Sequence, residues 1–262
     1  MPYADVNGQR IAYDDTGGDG PAVVLAHGFL MDRSMFEHQV EALSPEYRVV
    51  TWDERGFGET EWDGAPFTYW DLADDCIGLL DHLGLEQPVI GGMSQGGYLS
   101  LRAALRRPER VRALLLLDTG ADLEEPAVLE GYRTMVDMWT TVGPVEDLAN
   151  TVAGLIINDP VENPRWIAKW QASKHEQLRE PAECLFTRDD ISDRLGEITC
   201  PALVVHGAAD TAITVETAQR LAKGIPNAVG PVLVDGAAHA ANLTHPDPVN
   251  DAILEFLRSL PA

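Results

Sequence analysis

The feature of the sequence that most constrains the fold is the alternation of short strand-like runs with longer helical patterns. The strand-like runs are residues 22–26, 47–52, 89–92 and 111–117, and the helical patterns between them are residues 33–43, 69–83 and 96–107. Continuous apolar runs are typical of strands that are buried on both faces of a parallel sheet. The alternation therefore predicts an α/β fold with a mostly parallel central sheet flanked by helices.

The alternation stops between residues 119 and 194, where helical patterns dominate, and it resumes at 202–206. We therefore predict a core domain formed by residues 1–118 and 195–262, with a helical cap of residues 119–194 inserted after the sixth strand. The chain has 262 residues, of which 45% are hydrophobic, so it is long enough to bury a large core.

The charge and cysteine content exclude several classes of partner. Nineteen Lys and Arg residues against 42 Asp and Glu residues give a net charge of −23, which repels nucleic-acid phosphate and anionic membrane surfaces. No apolar run approaches the ~18 residues of a membrane span, and no signal peptide is visible. Cys76, Cys184 and Cys200 lack metal or redox spacing. We therefore expect a cytoplasmic protein with free thiols and with neither a nucleic-acid nor a membrane partner; its oligomeric state is left open.

The segment that points to chemistry is Gly-Met-Ser-Gln-Gly at residues 92–96. It fits the pattern G-x-S-x-G and lies between a predicted strand and a predicted helix, as in a nucleophile elbow. Such a turn lifts the Ser94 hydroxyl above the sheet edge, at a helix N-terminus that favours developing negative charge. The alternative interpretation is a glycine-rich turn with an incidental serine. The strand–turn–helix context favours Ser94 as the nucleophile.

A serine hydroxyl needs a base, and the base needs a carboxylate, which together make a catalytic triad. His239 directly follows the last predicted strand, over the carboxyl ends of the sheet, and is the predicted base. Asp210 follows the strand at 202–206 and is the predicted acid, which gives the chain order Ser94, Asp210, His239. Asp118, just after the strand at 111–117, is the alternative acid.

Backbone N–H groups are expected to form the oxyanion hole. The predicted donors are the amides of Gln95, which follows the nucleophile, and Phe29, in the loop after the strand at 22–26. Leu30, Met93 and Trp139 are candidates for the substrate pocket. Cap tryptophans such as Trp139 are equally compatible with packing of the cap onto the core. No metal-ligand spacing is present, so we expect no metal and no cofactor.

Taken together, these segments resemble the α/β-hydrolase superfamily over essentially the whole chain. The segments that carry the resemblance are His-Gly-Phe at 27–29, Asp-Glu-Arg-Gly-Phe-Gly at 53–58, Gly-Met-Ser-Gln-Gly-Gly at 92–97, Arg-Pro-Glu-Arg-Val at 107–111, and residues 201–210. The chain is most similar to the small serine esterase and lactonase branch, which includes 3-oxoadipate enol-lactonase-like and cofactor-free haloperoxidase-like proteins. Ile213 and Thr244 stand where that family often has proline and glutamate, which weakens the assignment to one subfamily.

The expected function is that of a serine hydrolase that cleaves a small-molecule carboxylic ester or lactone through an acyl-enzyme on Ser94. Two alternatives keep the triad: perhydrolysis, with hydrogen peroxide as acceptor, and hydrolysis of a carbon–carbon bond. A third belongs to another class, a small-molecule receptor built on the same fold. The sequence specifies neither the acyl chain nor the stereochemical preference.

Overall fold

The computed structural model describes residues 2–261 and contains eight strands and ten α-helices in that range. The strands are β1 Tyr3–Val6, β2 Gln9–Asp15, β3 Ala22–Ala26, β4 Arg48–Trp52, β5 Val89–Met93, β6 Ala113–Leu117, β7 Ala202–Gly207 and β8 Ala228–Val234. The helices are α1 Glu37–Leu43, α2 Tyr69–His82, α3 Gln95–Arg106, α4 Pro126–Val142, α5 Glu146–Ile156, α6 Glu162–Ala172, α7 Arg179–Phe186, α8 Val215–Gly224, α9 Ala241–Thr244 and α10 Pro246–Ser259. Short 3₁₀ helices lie at Arg33–Phe36, Pro108–Arg110, His175–Leu178 and Ser192–Glu197. None of the helices in residues 2–261 is both long and apolar enough to cross a membrane.

All eight strands form one sheet, in the order β1-β2-β4-β3-β5-β6-β7-β8. The six neighbouring strands β4, β3, β5, β6, β7 and β8 pair in parallel. The other two pairings are antiparallel, β1 with β2 and β2 with β4. The prediction of a mostly parallel sheet flanked by helices is thus confirmed. The chain runs from β3 outward to β4 and then returns to place β5 on the other side of β3. Ligands of such sheets bind in the crevice at the carboxyl ends of the strands where the direction of winding reverses.

Both faces of the sheet are buried, each in its own hydrophobic cluster, and alternate residues of a strand point to opposite faces. On β3, Val24 belongs to one hydrophobic cluster and Val23 to the other. On β6, Leu116 and Leu115 divide in the same way. This explains why the central strands are continuous apolar runs.

Four helices, α4 to α7, lie between β6 and β7 in the chain, inside the range predicted for the cap. The ends of this segment meet, since the N–H of Ile191 donates to the carbonyl of Ala121 at 3.2 Å. The 3₁₀ helix Ser192–Glu197 spans the predicted boundary at 194, and its Leu195 packs into the core. The domain boundaries themselves stay a prediction.

Candidate active site

Ser94 forms the sharp turn between β5 and α3. Its backbone has φ 54° and ψ −113°, and a positive φ is uncommon for a residue with a side chain. The Ser94 N–H donates to the Leu117 carbonyl at 2.9 Å. The Ser94 carbonyl accepts from the hydroxyl of Thr119 at 2.7 Å and from the Gly97 N–H at 2.9 Å. Backbone and threonine contacts thus hold the strained turn, and the serine hydroxyl takes no part in them.

The two outer glycines of the motif are needed because β5 and α3 pack directly against β3. A Cβ atom at Gly92 or at Gly96 would overlap the carbonyl oxygen of Ala26. No side chain fits at either position without moving backbone. The spacing of glycines around Ser94 therefore follows from close packing of three elements, as the sequence motif implies.

His239 lies between β8 and α9, and its Nδ1 is 2.8 Å from Oδ2 of Asp210. With the Nδ1 proton donated to the carboxylate, Nε2 remains as the acceptor. Burial opposes protonation of His239, but the attraction of Asp210 and its hydrogen bond outweigh burial, so the pKa of His239 is raised above 6.5. Burial of Asp210 is likewise outweighed by His239, so the pKa of Asp210 is lowered.

Asp210 is fixed from two further directions. Its Oδ1 accepts the backbone N–H groups of Ala212 at 2.8 Å and Ile213 at 3.0 Å. Its Oδ2 lies 3.3 Å from Nε2 of His206, which also donates to the Ile213 carbonyl at 2.9 Å. Burial lowers the pKa of His206, so this second imidazole stays neutral near neutral pH. The carboxylate therefore has little freedom to turn away from His239.

Asp118, the alternative acid, lies beside this group with different partners. Its Oδ1 accepts from the Gly207 N–H at 2.7 Å, and its Oδ2 accepts from the first N–H of α9 at 3.3 Å. Burial raises the pKa of Asp118 well above its usual range. The hydrogen bond from His239 goes to Asp210, so the geometry favours Asp210 as the partner of the imidazole.

The cluster of Asp118, His206 and Asp210 also has the composition of a metal site. One ligand atom from each lies within 4.8 Å of the others, and all three residues are buried. However, the oxygens of Asp118 and Asp210 accept hydrogen bonds from backbone N–H groups and from His239, and His206 Nε2 donates to a backbone carbonyl. Of the side-chain nitrogen and oxygen atoms of these three residues, only His206 Nδ1 lacks a hydrogen-bond partner among residues 2–261. We therefore interpret the cluster as a hydrogen-bonded support for His239. Sequence reasoning missed His206, although its position four residues before Asp210 at the same strand end was a usable signal.

The loop after β3 faces Ser94 and is braced by a buried histidine. His27 Nε2 accepts the Glu54 N–H at 3.0 Å, and its Nδ1 donates to the Gly28 carbonyl at 2.8 Å. Burial lowers the pKa of His27, which keeps the ring neutral for both bonds. The next amide in this loop is that of Phe29. Gln95, the first residue of α3, has an N–H without a partner inside the helix.

Ser94 and His239 line one cavity of about 80 Å³ beneath the segment 126–186. Its other lining residues are mostly apolar: Phe29, Leu30, Met93, Tyr98, Glu124, Tyr132, Met135, Val136, Val152, Leu155, Ile156, Leu185, Phe186, Ala212 and Ile213. Leu30 and Met93 are thus placed next to Ser94, as the sequence predicts. The position of Glu124 had no local sequence signal, because packing of the α4 segment over the sheet brings it there.

Trp139 lies outside this cavity. Its ring packs edge to face on Trp170, with centroids 5.5 Å apart. Both rings line a separate cleft of about 740 Å³ between the cap helices and the core. Trp139 thus lies away from Ser94, near Trp166 and Trp170 of α6, which are 1% and 4% exposed. Its role as a pocket residue stays a prediction.

A strained serine at the carboxyl edge of a parallel sheet, facing a histidine–aspartate pair across the crevice, is the arrangement expected of an α/β hydrolase. Residues 21–246 match the family described as alpha/beta hydrolase fold, and the chain belongs to this family. It is accordingly a hydrolase of the α/β class.

The chain is similar to enol-lactonases and esterases of this family, as three comparisons show. The 3-oxoadipate enol-lactonase 2 of Acinetobacter baylyi is 28% identical over 248 residues, which cover 90% of this chain and 88% of that protein. A thermophilic esterase from Thermogutta terrifontis, solved with malate bound, is 30% identical with a TM-score of 0.91 and coverage of 100% and 99%. The enol-lactonase from Burkholderia xenovorans LB400 is 29% identical with a TM-score of 0.89 and coverage of 98% and 100%. The resemblance to the small esterase and lactonase branch is thus confirmed.

Proposed function

We propose that this protein is a serine hydrolase that cleaves small carboxylic esters or lactones through an acyl-enzyme on Ser94. The observation that carries the proposal is the shared cavity of Ser94 and His239, with the imidazole hydrogen-bonded at 2.8 Å to Asp210. The enol-lactonase and esterase relatives support the same substrate class.

In the proposed first half-reaction, the Ser94 Oγ attacks the carbonyl carbon and His239 Nε2 accepts the hydroxyl proton. Asp210 stabilises the imidazolium that forms. The amides of Phe29 and Gln95 donate hydrogen bonds to the oxyanion of the tetrahedral intermediate. His239 then returns the proton to the leaving alkoxide, and the acyl group remains on Ser94.

In the second half-reaction, His239 removes a proton from water, and the resulting hydroxide attacks the acyl carbon. The bond between the acyl carbon and Ser94 Oγ then breaks, His239 returns the proton to Oγ, and the acid is released. With a lactone the alcohol stays attached to the acyl group, so a single hydroxy acid is released. No group beyond these side chains and amides is needed for either half. Apolar neighbours such as Met93 and Leu30 favour an acyl group with little polarity.

The test is a panel of 4-nitrophenyl esters and simple lactones, assayed with the wild type and with Ser94→Ala. The matched control is Ser100→Ala, because Ser100 lies on the same helix and its hydroxyl donates to the Gly96 carbonyl. The proposal expects turnover that is lost in Ser94→Ala and kept in Ser100→Ala. Turnover that persists in Ser94→Ala would contradict it, as would tight binding of lactones without turnover, which is the behaviour of a receptor.

Product analysis separates the proposed acceptor from its alternatives. The proposal expects the free acid to dominate even when hydrogen peroxide is added at a concentration similar to the ester. Dominant formation of a peracid would instead identify a perhydrolase. Faster cleavage of a diketone than of any ester would identify a carbon–carbon bond hydrolase.

A further inference from the structure

The described residues that line the active-site cavity include a carboxylate but no lysine or arginine that could pair with an anionic substrate. Among the described residues that line the cavity with Ser94, Glu124 is the one acid and none is lysine or arginine. The Glu124 side chain is 17% exposed. An anionic group that entered this cavity would thus be desolvated beside a second negative charge.

Arg188 lies behind this wall and forms hydrogen bonds with groups of the protein. Its Nη2 donates to Oε2 of Glu124 at 2.6 Å and to the Asp122 carbonyl at 3.3 Å, and its Nη1 donates to the Leu185 carbonyl at 2.9 Å. Its guanidinium carbon lies 4.6 Å from the ring centroid of Tyr98. With a side chain only 3% exposed, Arg188 has its charge offset by Glu124.

Glu124 also lines a second space that adjoins the cavity. This space is a groove of about 250 Å³. The residues that line both spaces are Tyr98, Glu124, Ala212 and Ile213. By contrast, the cavity shares only Leu30 with the larger cleft between cap and core. Glu124 therefore lies at the boundary between the cavity of Ser94 and this groove.

The outer groove carries the same sign of charge. Asp122, Glu124 and Glu125 line it together with a single guanidinium, that of Arg220. Arg220 is itself paired, since its Nε donates to Asp122 at 3.0 Å. The side chains that line this groove thus carry a net negative charge, which disfavours an anionic substrate there.

We infer that the site selects uncharged esters or lactones, and that Glu124 excludes acyl groups ending in a carboxylate while it masks Arg188. This inference rests on the proposed hydrolase function and narrows its substrate class. Acyl groups with an apolar end or a hydrogen-bond donor at the far end are accepted, because a donor can bond to the Glu124 carboxylate. Removing the charge of Glu124 exposes Arg188 as an anion-binding group.

The test compares three 4-nitrophenyl esters of the same length and similar shape. They are the hemiadipate, which ends in a carboxylate; the adipamate, which ends in a neutral amide; and the 6-methylheptanoate, which ends in a branched alkyl group. The wild type is expected to show kcat/KM for the hemiadipate at least tenfold below that for either neutral ester, after correction for spontaneous hydrolysis. A wild type that hydrolyses all three equally well would overturn the inference.

Two variants test whether Glu124 and Arg188 cause the selectivity against the hemiadipate. Glu124→Gln is expected to raise kcat/KM for the hemiadipate at least tenfold relative to the neutral esters, and Glu124→Gln/Arg188→Gln to lose that gain. The matched control is Glu130→Gln, which removes one exposed carboxylate of α4 outside both spaces and leaves the selectivity unchanged. Unchanged selectivity in a folded Glu124→Gln, or an equal change in Glu130→Gln, refutes the role of Glu124.

A binding measurement keeps the inference separate from the hydrolase proposal. Calorimetry on Ser94→Ala compares the binding of two amides of the same length. One is 6-methylheptanamide, which ends in a branched alkyl group, and the other is the anion of adipamic acid, which ends in a carboxylate. At least tenfold weaker binding of the anion supports the inference, even if no ester is turned over and the hydrolase proposal fails. Equal binding refutes the inference, even if Ser94-dependent hydrolysis is observed. This measurement also decides the case in which Glu124→Gln does not fold.

Discussion

The Nε2 of His206 lies 3.3 Å from Oδ2 of Asp210, the same oxygen that accepts the Nδ1 proton of His239 at 2.8 Å. Two imidazole rings thus contact the same carboxylate oxygen, the buried and neutral ring of His206 and the ring of His239. The orientation of the carboxylate is fixed by two backbone N–H groups on Oδ1 and by the His239 proton on Oδ2, while His206 occupies the space on the other side of Oδ2. The fixed carboxylate in turn fixes the tautomer of His239.

The first prediction concerns the acid. Asp210→Asn is expected to lower kcat/KM for a 4-nitrophenyl ester by about 10³–10⁴-fold, because an amide cannot stabilise the imidazolium and favours the wrong tautomer. Steady-state kinetics on a variant with an unchanged circular dichroism spectrum provide the measurement. A loss of less than tenfold would show that another group orients His239.

The second prediction concerns Asp118, the alternative acid. Asp118→Asn is expected to keep kcat/KM within about tenfold, because its carboxylate accepts backbone N–H groups and not the His239 proton. One of those hydrogen bonds is lost to the amide, so the free energy of unfolding should fall by about 1–3 kcal/mol. Urea denaturation and ester kinetics on the same preparation check both parts. A rate loss as large as that of Asp210→Asn would assign the acid to Asp118.

The third prediction is a pH dependence. The imidazole must be neutral to accept the serine proton, and its pKa is raised above 6.5 chiefly by Asp210, with smaller contributions from Asp118 and Glu124. We therefore expect kcat/KM to fall as the pH falls through a midpoint above 6.5. Asp210→Asn removes the main attraction and should move the midpoint downward. The pKa of His239 is measured directly by titrating the imidazole resonances by NMR, with the His239 signal assigned from its absence in His239→Asn. A midpoint below 6.5 in the wild type would contradict the structure.

The fourth prediction concerns stability rather than catalysis. Glu54 is fully buried, and both of its carboxyl oxygens lack a hydrogen-bond partner among residues 2–261. Burial, together with the nearby Asp53 and Asp75, raises the pKa of Glu54 well above 4.5. A carboxyl with a raised folded-state pKa contributes stability that is complete below 4.5 and is lost as the pH rises toward the folded value.

Glu54→Gln removes this titration while it keeps the shape of the protonated acid. Its free energy of unfolding relative to the wild type should therefore rise by about 1–3 kcal/mol from about pH 5 to about pH 8. Glu41→Gln on α1, an exposed position, is the matched control and should show no such trend. A difference between Glu54→Gln and the wild type that does not change with pH would show that Glu54 ionises freely in the folded protein.

The sequence predicts the fold well because its main determinants are local. Each central strand is apolar throughout, since both faces are covered, and each helix has its own periodic pattern. The position of Ser94 is equally local: Gly92 and Gly96 stand two residues away because the elements pack against the Ala26 carbonyl. Such constraints leave a mark on neighbouring residues, where a sequence can be interpreted directly.

The composition of the pocket wall depends instead on contacts between distant segments. Glu124 and Arg188 are 64 residues apart and meet only because the two ends of the inserted segment converge. Nothing near either residue in the sequence signals the pair. The position of Trp139 outside the cavity of Ser94 likewise depends on how α4 packs against α6. The sequence thus indicates candidate residues at the strand ends, whereas it carries no signal for the residues that line the cavity from the inserted segment.

The most direct test of the central claim is covalent labelling with a fluorophosphonate, followed by peptide mass spectrometry. The account predicts one label per chain, located on Ser94, with a loss of esterase activity in proportion to the label. Ser94→Ala should take up no label, and His239→Ala should label at least about 100-fold more slowly, because the base contributes at least that factor. A label on another residue, or an active Ser94→Ala variant, would contradict the proposed mechanism.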